Sequence, residues 1–171
     1  SPENVANVDP VVRLYRAFLG RAPDAGGLRF WIGRKRNVAP ARTWSVSQMA
    51  ASFVASGEFQ RKYGSLTNRA FVTRIYTDVL GRPADTSGVD FWTKRLDTKR
   101  MTRAQVMVGF SESSEYRRKQ AANTDVAIAY LALVGRMPTV DETTAWTTAS
   151  AGGTTHVELL DQLVKAAPAL L

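Results

Sequence analysis

A short pattern occurs three times in this chain and limits what the chain can fold into. Each copy has a Tyr five residues before a Gly-Arg pair and a Trp eleven residues after the Gly. The three glycines, 61 and then 54 residues apart, are Gly20, Gly81 and Gly135. A motif repeated with fixed internal spacing indicates a repeated structural module, so its shared residues report first on the fold.

The sequence around each copy carries signals for helices. Apolar residues recur at helical spacing before each Gly, and Gly at that place ends a helix in the left-handed conformation. Asp24 and Asp85 predict the cap of the second helix, and Thr139 with Glu142 predicts a capping box at the equivalent place. Three more capping boxes predict a third helix in every unit: Ser45 with Gln48, Thr102 with Gln105, and Thr155 with Glu158.

The first and last helices of the units are marked less uniformly. The expected first residues of the opening helices are Asp9-Pro10, Asn68, and Asp125 or Thr124. A short fourth helix with the pattern Ser-x-Glu-aromatic is predicted at 56–59 and 113–116, but the third copy has Pro168 at the Glu position. The sequence therefore predicts an all-α fold, a compact helical repeat domain of about eleven short helices. Its three related units are residues 9–64, 65–123 and a degenerate or truncated 124–171.

The charge of the chain is uneven along its length. The net charge is +6 over residues 1–64, +5 over 65–123 and −3 over 124–171. A basic body indicates an anionic partner such as nucleic acid, a cell-wall polymer or an anionic glycan, although a solvated Arg-rich surface is the alternative. No apolar run in the sequence approaches the length of a membrane span. The absence of Cys excludes disulfides and Cys-based zinc sites.

The first two copies resemble the bacterial DUF4214 family. The residues that carry the resemblance are Tyr15-Arg-Ala-Phe-Leu-Gly-Arg-Ala-Pro-Asp-x-x-Gly-Leu-x-Phe-Trp31 with a later Ser-x-Glu-Phe segment, and Tyr76-Thr-Asp-Val-Leu-Gly-Arg-Pro-Ala-Asp-x-x-Gly-Val-x-Phe-Trp92 with Gly-Phe-Ser-Glu-Ser-Ser-Glu-Tyr116. The resemblance covers residues 10–121, and 124–167 form a degenerate copy. The family is a domain of unknown function, found largely in exported or cell-surface bacterial proteins, with a distant likeness to phycobilisome linker domains. It therefore implies a secreted or cell-surface location and brings no catalytic residues.

Repeated charges predict contacts within the units. Arg21 and Arg82 follow the first helices, while Glu58 and Glu115 begin the fourth helices. We interpret Arg21–Glu58 and Arg82–Glu115 as structural clasps, because a guanidinium can hold a carboxylate in two parallel hydrogen bonds. The alternative is that each pair lines a ligand groove. Arg136 has no matching Glu and is expected to be free.

The first unit has an insertion after its second helix that favours a binding role. The candidate ligand-binding residues in it are Arg34, Lys35, Arg36, Arg42 and Trp44. Insertions in repeat proteins often lie on the binding face, and an unrepeated Trp beside arginines suits a protein partner or a sugar ring. The alternative is a solvated loop with Trp44 packed over Phe53.

No catalytic constellation is found in the sequence. The repeated Trp residues are expected in the core, with stacking on sugar rings as the alternative. The Asp-x-x-Gly segments at Asp24 and Asp85 lack the further carboxylates of a calcium site, and His156 is the only His. Glu112 and Glu115 have no readable cleft around them for a glycosidase pair. We therefore expect no catalytic residue, no metal site and no cofactor.

Together these observations predict a non-enzymatic binding or adhesion module of an exported bacterial protein. Its partner would be a glycan, a cell-wall polymer or another protein. The module itself is expected to have no membrane span. The alternative is a scaffold or assembly domain that joins protein subunits. A carbohydrate-active enzyme, a polyanion binder and a nucleic-acid partner are disfavoured.

Overall fold

The protein is all-helical in the part of the chain that the structure describes. This computed structural model describes the backbone of residues 2–36 and 45–170, and the side chains of 8–32 and 45–170. Within these ranges there are ten α-helices and no strand. They are α1 (Pro2–Leu14, continued by a π-helical turn over Tyr15–Leu19), α2 (Ala25–Arg36), α3 (Val46–Ala55), α4 (Gly57–Tyr63), α5 (Asn68–Leu80), α6 (Thr86–Asp97), α7 (Arg103–Ser111), α8 (Ser114–Leu133), α9 (Val140–Ala151) and α10 (His156–Leu170).

Local capping signals set most of the helix boundaries. Asp24 Oδ1 accepts a hydrogen bond from the backbone N–H of Gly27 at 2.6 Å, and Asp85 Oδ1 accepts from Gly88 at 2.7 Å. The predicted capping boxes are present at residues 45, 102, 139 and 155. The three repeated glycines follow their helices with φ of 74°, 66° and 77°. These predictions are confirmed.

The predicted start of the first opening helix is wrong, and that of the second is confirmed. Helix α1 begins at Pro2 and runs through Pro10, and the carboxylate of Asp9 pairs with Arg13 one turn later instead of capping. Helix α5 is capped by Thr67, whose hydroxyl accepts from the N–H of Ala70 at 3.2 Å. Asn68 is therefore its first helical residue.

No helix begins at Thr124 or Asp125, contrary to the prediction. Helix α8 runs unbroken over 20 residues because its sequence contains no Gly or Pro, and Thr124 is buried within it. The fourth helix of unit 2 and the first helix of unit 3 are thus one element. This fusion is one reason why ten helices are found where about eleven were expected.

Units 1 and 2 share one hydrophobic core, while unit 3 adds a smaller one. Helix α3 packs against α7 and α1 against α8, so each of the first two units covers the other. Trp31 is buried and stacks on Phe53 with the ring centres 5.4 Å apart, as the repeat predicts, whereas Trp92 is half-buried. Trp146 is buried in the second cluster, between α8, α9 and α10.

Candidate binding surface

The predicted ligand-binding residues of unit 1 lie outside the described part of the chain. Helix α2 ends at Arg36, but no side chain is described from residue 33 to residue 44. The undescribed side chains include all five candidates: Arg34, Lys35, Arg36, Arg42 and Trp44. The contact surface proposed for them stays a prediction.

The repeated Arg and Glu residues contact each other in both complete units. Arg21 donates from Nε and Nη2 to the two carboxylate oxygens of Glu58, at 2.9 and 3.0 Å. Arg82 binds Glu115 in the same way, at 2.9 and 3.2 Å. The hydrogen bond from each Arg lowers the pKa of its Glu. Arg21 and Glu58 keep 44% and 38% of their side chains exposed, so we expect that pair to contribute less than about 1 kcal/mol.

Arg136 was expected to be free, and this expectation is wrong. Its Nη1 and Nη2 donate to the carboxylate of Glu142, both at 2.8 Å, and that carboxylate also accepts from the backbone N–H of Thr139. Units 1 and 2 have Gly27 and Gly88 at the position of Glu142. The third unit therefore holds its Arg with a residue of its own second helix, and does so without a fourth helix.

This local pair predicts an acid-sensitive contribution to stability. The hydrogen bonds from Arg136 lower the pKa of Glu142 from 4.5 to about 2, so the carboxylate stabilises the fold above pH 4.5. That contribution is lost as the pH falls through the folded-state pKa. We expect Glu142→Gln to flatten the fall in unfolding free energy between pH 4.5 and 2, as measured by urea titration at several pH values. Asp141→Asn, which removes the neighbouring charge, should leave the wild-type slope, and equal slopes for both variants would contradict the assignment.

A surface that is both aromatic and basic lies at the end of α6. Phe91 is 46% exposed, and the guanidinium carbon of Arg95 lies over its ring, 3.4 Å from the ring centre. Lys94 is exposed in the last turn of α6, and Lys99 and Arg100 are exposed in the turn that follows the helix. We call these five residues the α6 patch. Cations at this place also interact favourably with the C-terminal end of the helix dipole.

The nearby carboxylates do not neutralise the α6 patch. Asp90 pairs with Arg69 at 2.6 Å, whereas Asp97 accepts a hydrogen bond at 2.8 Å from the neutral amide of Asn68, which does not offset its charge. Within the described residues, none of the four cations of the patch forms an ion pair. The patch therefore presents four cations outside ion pairs beside one exposed ring, and Asp97 is the one carboxylate among residues 91–100.

The charged residue Lys99 has a strained, left-handed backbone conformation. Its φ is 55°, and it is the only non-Gly residue with positive φ in the described part of the chain. The N–H of Arg100 donates to the carbonyl of Arg95 and that of Lys99 to Leu96, which is the helix-ending arrangement in which Gly is usually found. A left-handed conformation costs a side-chain-bearing residue about 1 kcal/mol or more relative to Gly.

Lys99→Gly should therefore raise stability. We expect the free energy of unfolding to rise by about 1 kcal/mol, because Gly adopts this conformation without strain. Lys99→Ala removes the same charge but keeps the strain, so it should not show this gain in stability. Denaturant titration of the two variants measures the difference. Equal stabilities would show that the backbone at residue 99 is not strained.

The exposed Phe of the α6 patch is repeated in unit 1. Phe30 is 49% exposed, and each Phe lies edge-on to the Trp that follows it, with ring centres 5.1 and 5.0 Å apart. An Arg stands four residues after each Phe, at Arg34 and Arg95, while unit 3 has alanines at both places. Packing explains repeated core residues, but it does not explain a repeated Phe on the surface. The Phe-Trp pair is visible in both copies of the motif, but the sequence does not reveal that the Phe is exposed.

Metal-ligating groups and membrane-spanning helices were also sought in the described residues. There, no three His, Asp or Glu side chains are grouped so that they could hold a metal ion. Among the helices that the structure describes, none is both long and apolar enough to pass through a bilayer.

One family model matches part of the chain. Residues 50–120 match the sequence model of DUF4214, a domain of unknown function. The match covers the end of unit 1 and residues 65–120 of unit 2, a shorter stretch than the motifs suggest. No curated protein and no solved structure matches the chain.

Proposed function

We propose that this chain, which carries a DUF4214 domain over residues 50–120, is a non-enzymatic binding module that holds an anionic polymer at the α6 patch. The ligand class is a glycan or cell-wall polymer that bears carboxylate or phosphate groups. The observation that carries the proposal is the exposed Phe91 beneath Arg95, with three further cations that have no carboxylate partner among the described residues. A secreted or cell-surface location belongs to the same proposal and is supported by the family resemblance.

The geometry of Arg95 suits an anion that offers two oxygen acceptors. One face of its guanidinium packs on the Phe91 ring, and one N–H donates to the Phe91 carbonyl at 3.4 Å. The remaining donors stay available at the edge of the group, where a carboxylate or phosphate can accept two of them at once. Stacking on the ring restrains the side chain, so less conformational entropy is lost when the anion binds.

The three other cations suit a ligand with repeated charges. Lys94, Lys99 and Arg100 are exposed, and each can contact a separate anionic group of a chain. Exposed ion pairs contribute little one at a time, but several of them along one polymer add up. Such binding is salt-dependent because counterions are released from the polymer.

The test is a calorimetric titration of the protein with polygalacturonate and, as a neutral counterpart, dextran, at several salt concentrations. We expect binding to polygalacturonate that weakens as salt rises, and no binding to dextran. Arg95→Gln should weaken it by about tenfold, because one hydrogen-bonded charge contributes about 1.5 kcal/mol or more. Lys165→Ala, an equal charge change in unit 3, should have no effect.

Three outcomes would overturn the proposal. Equal binding of dextran and polygalacturonate would show that charge is not recognised. Equal loss of affinity in Lys165→Ala and Arg95→Gln would place the site elsewhere. Tighter binding of duplex DNA than of polygalacturonate, with the same sensitivity to Arg95→Gln, would assign the patch to nucleic acid.

A further inference from the structure

Among the described residues, helix α10 lacks the partner that its equivalents have in the other units. The third helices of units 1 and 2, α3 and α7, pack against each other. Nine residues after its cap, α7 has Ser111, which is fully buried, and α3 has the half-buried Val54. The equivalent residue of α10 is Val164, which is 52% exposed. In the described part of the chain, nothing covers this face of α10 as α3 and α7 cover each other.

The uncovered face carries an apolar stripe with acidic neighbours. Val157, Leu160 and Val164 are spaced as one face of a helix; Val157 is 73% exposed, while Leu160 is partly buried against the second core. Glu158 and Asp161 lie beside them on the exposed surface, where Asp161 pairs with Lys165 at 2.6 Å. We call the three apolar residues the α10 stripe. An apolar row of this kind, rimmed by charge, is typical of a surface that contacts another protein.

The charges of the chain indicate which surface the α10 stripe fits. Unit 3 has a net charge of −3, while residues 1–64 and 65–123 carry +6 and +5. The α6 patch combines an exposed aromatic ring with four cations, so it is complementary to an apolar stripe with acidic neighbours. Aromatic and Arg residues are also enriched where protein contacts contribute most of the binding energy.

We propose that the α10 stripe of one copy docks on the α6 patch of a second copy. The contact is head-to-tail, since each copy offers one stripe and one patch, and it can therefore continue into longer assemblies. It rests on the proposed function, because it uses the α6 patch with an acidic helix face in place of an acidic polymer. A small interface of this kind is weak and salt-sensitive.

A two-fold contact between two α10 stripes fits the charges less well. It would bring together two units that each carry a net charge of −3, and like charges oppose association. The stripe and the patch carry opposite charge and meet without that repulsion. Docking on the patch also covers Phe91, the large apolar side chain that the fold of unit 2 leaves exposed.

The test uses two variants of the full chain, each of which removes one surface. Val164→Asp places a charge in the α10 stripe, and Arg95→Glu reverses the central charge of the α6 patch. Sedimentation equilibrium of the wild type should show a mass that rises with concentration and falls with salt. Each variant alone should stay monomeric, while an equimolar mixture of the two should form dimers and nothing larger. This follows because the first variant keeps a patch and the second keeps a stripe.

Matched controls separate this inference from a general effect of charge and from the proposed function. Val140→Asp, the same substitution at a valine that is 81% exposed on α9, should assemble like the wild type. A wild type that stays monomeric, or an Arg95→Glu variant that still assembles while Val164→Asp does not, would overturn head-to-tail docking.

Polygalacturonate binding is measured on the same proteins. If Val164→Asp binds the polymer normally, a failure of assembly leaves the proposed function standing, whereas normal polymer binding by Arg95→Glu would refute the proposed function itself.

Discussion

Phe59→Ala is expected to lower the free energy of unfolding by about 3–5 kcal/mol, because it opens a cavity in a fully buried site. Phe59 is 0% exposed, and its ring centre lies 5.9 Å from that of Phe18 in unit 1 and 6.3 Å from that of Phe71 in unit 2. Since the side chain connects both units, its loss should destabilise them together. Urea unfolding followed by circular dichroism should show one transition, shifted to lower denaturant.

Phe91→Ala is the matched control for this loss of a phenyl ring. Phe91 also lies in a helix, but it is 46% exposed, so the same change should cost much less stability. Similar costs at the two positions would mean that Phe59 does not lie in a shared core. Two separate transitions in the Phe59→Ala variant would mean that units 1 and 2 fold independently.

Gly88→Ala is expected to destabilise the protein by about 2–3 kcal/mol, because the added methyl group overfills a packed site. Ala in place of Gly in a helix ordinarily stabilises by about 1 kcal/mol, so the sign is diagnostic. A Cβ at residue 88 would lie 2.1 Å from Oη of Tyr76 and 2.9 Å from the carboxylate of Asp85. The Tyr76 ring cannot move away easily, because it is 5% exposed and packs edge-on against Phe110.

Two further variants make the Gly88 prediction specific, both followed by thermal unfolding. Gly57→Ala should be neutral or stabilising, since its Cβ would meet only the flexible end of Arg61 at 3.2 Å. Tyr76→Phe in the Gly88→Ala background should restore part of the loss, because the nearest atom is removed while the ring carbon at 3.0 Å remains. A Gly88→Ala variant as stable as the wild type would refute the close approach of Tyr76 to α6.

Local signals explain which parts of the fold could be predicted from the sequence. Capping boxes and left-handed glycines act within four residues, so Ser45, Thr102 and Gly81 could be identified without tertiary information. The start of α1 and the continuity of α8 depend on longer runs of helix-forming sequence. Asp9 resembles a cap, but Arg13 engages its carboxylate instead.

The candidate surface could be predicted only in part, because exposure is decided by tertiary packing. Phe53 and Phe91 are the same residue type, and both follow helical spacing, yet one is buried and the other is half exposed. Arg136 and Glu142 are six residues apart, so their pairing could have been considered from the sequence. The capping box already explained Glu142, and its second role as the partner of Arg136 was therefore not predicted.

Amide chemical-shift mapping tests most directly whether an anionic polymer binds at the α6 patch. Uniformly ¹⁵N-labelled protein is titrated with oligogalacturonate at low salt, and backbone shifts are followed for every assigned residue. We expect the largest shifts at Phe91 and over residues 94–100, with little change over 140–170. If the polymer binds while the amide signals of residues 91–100 do not shift, the α6 patch is not the binding site.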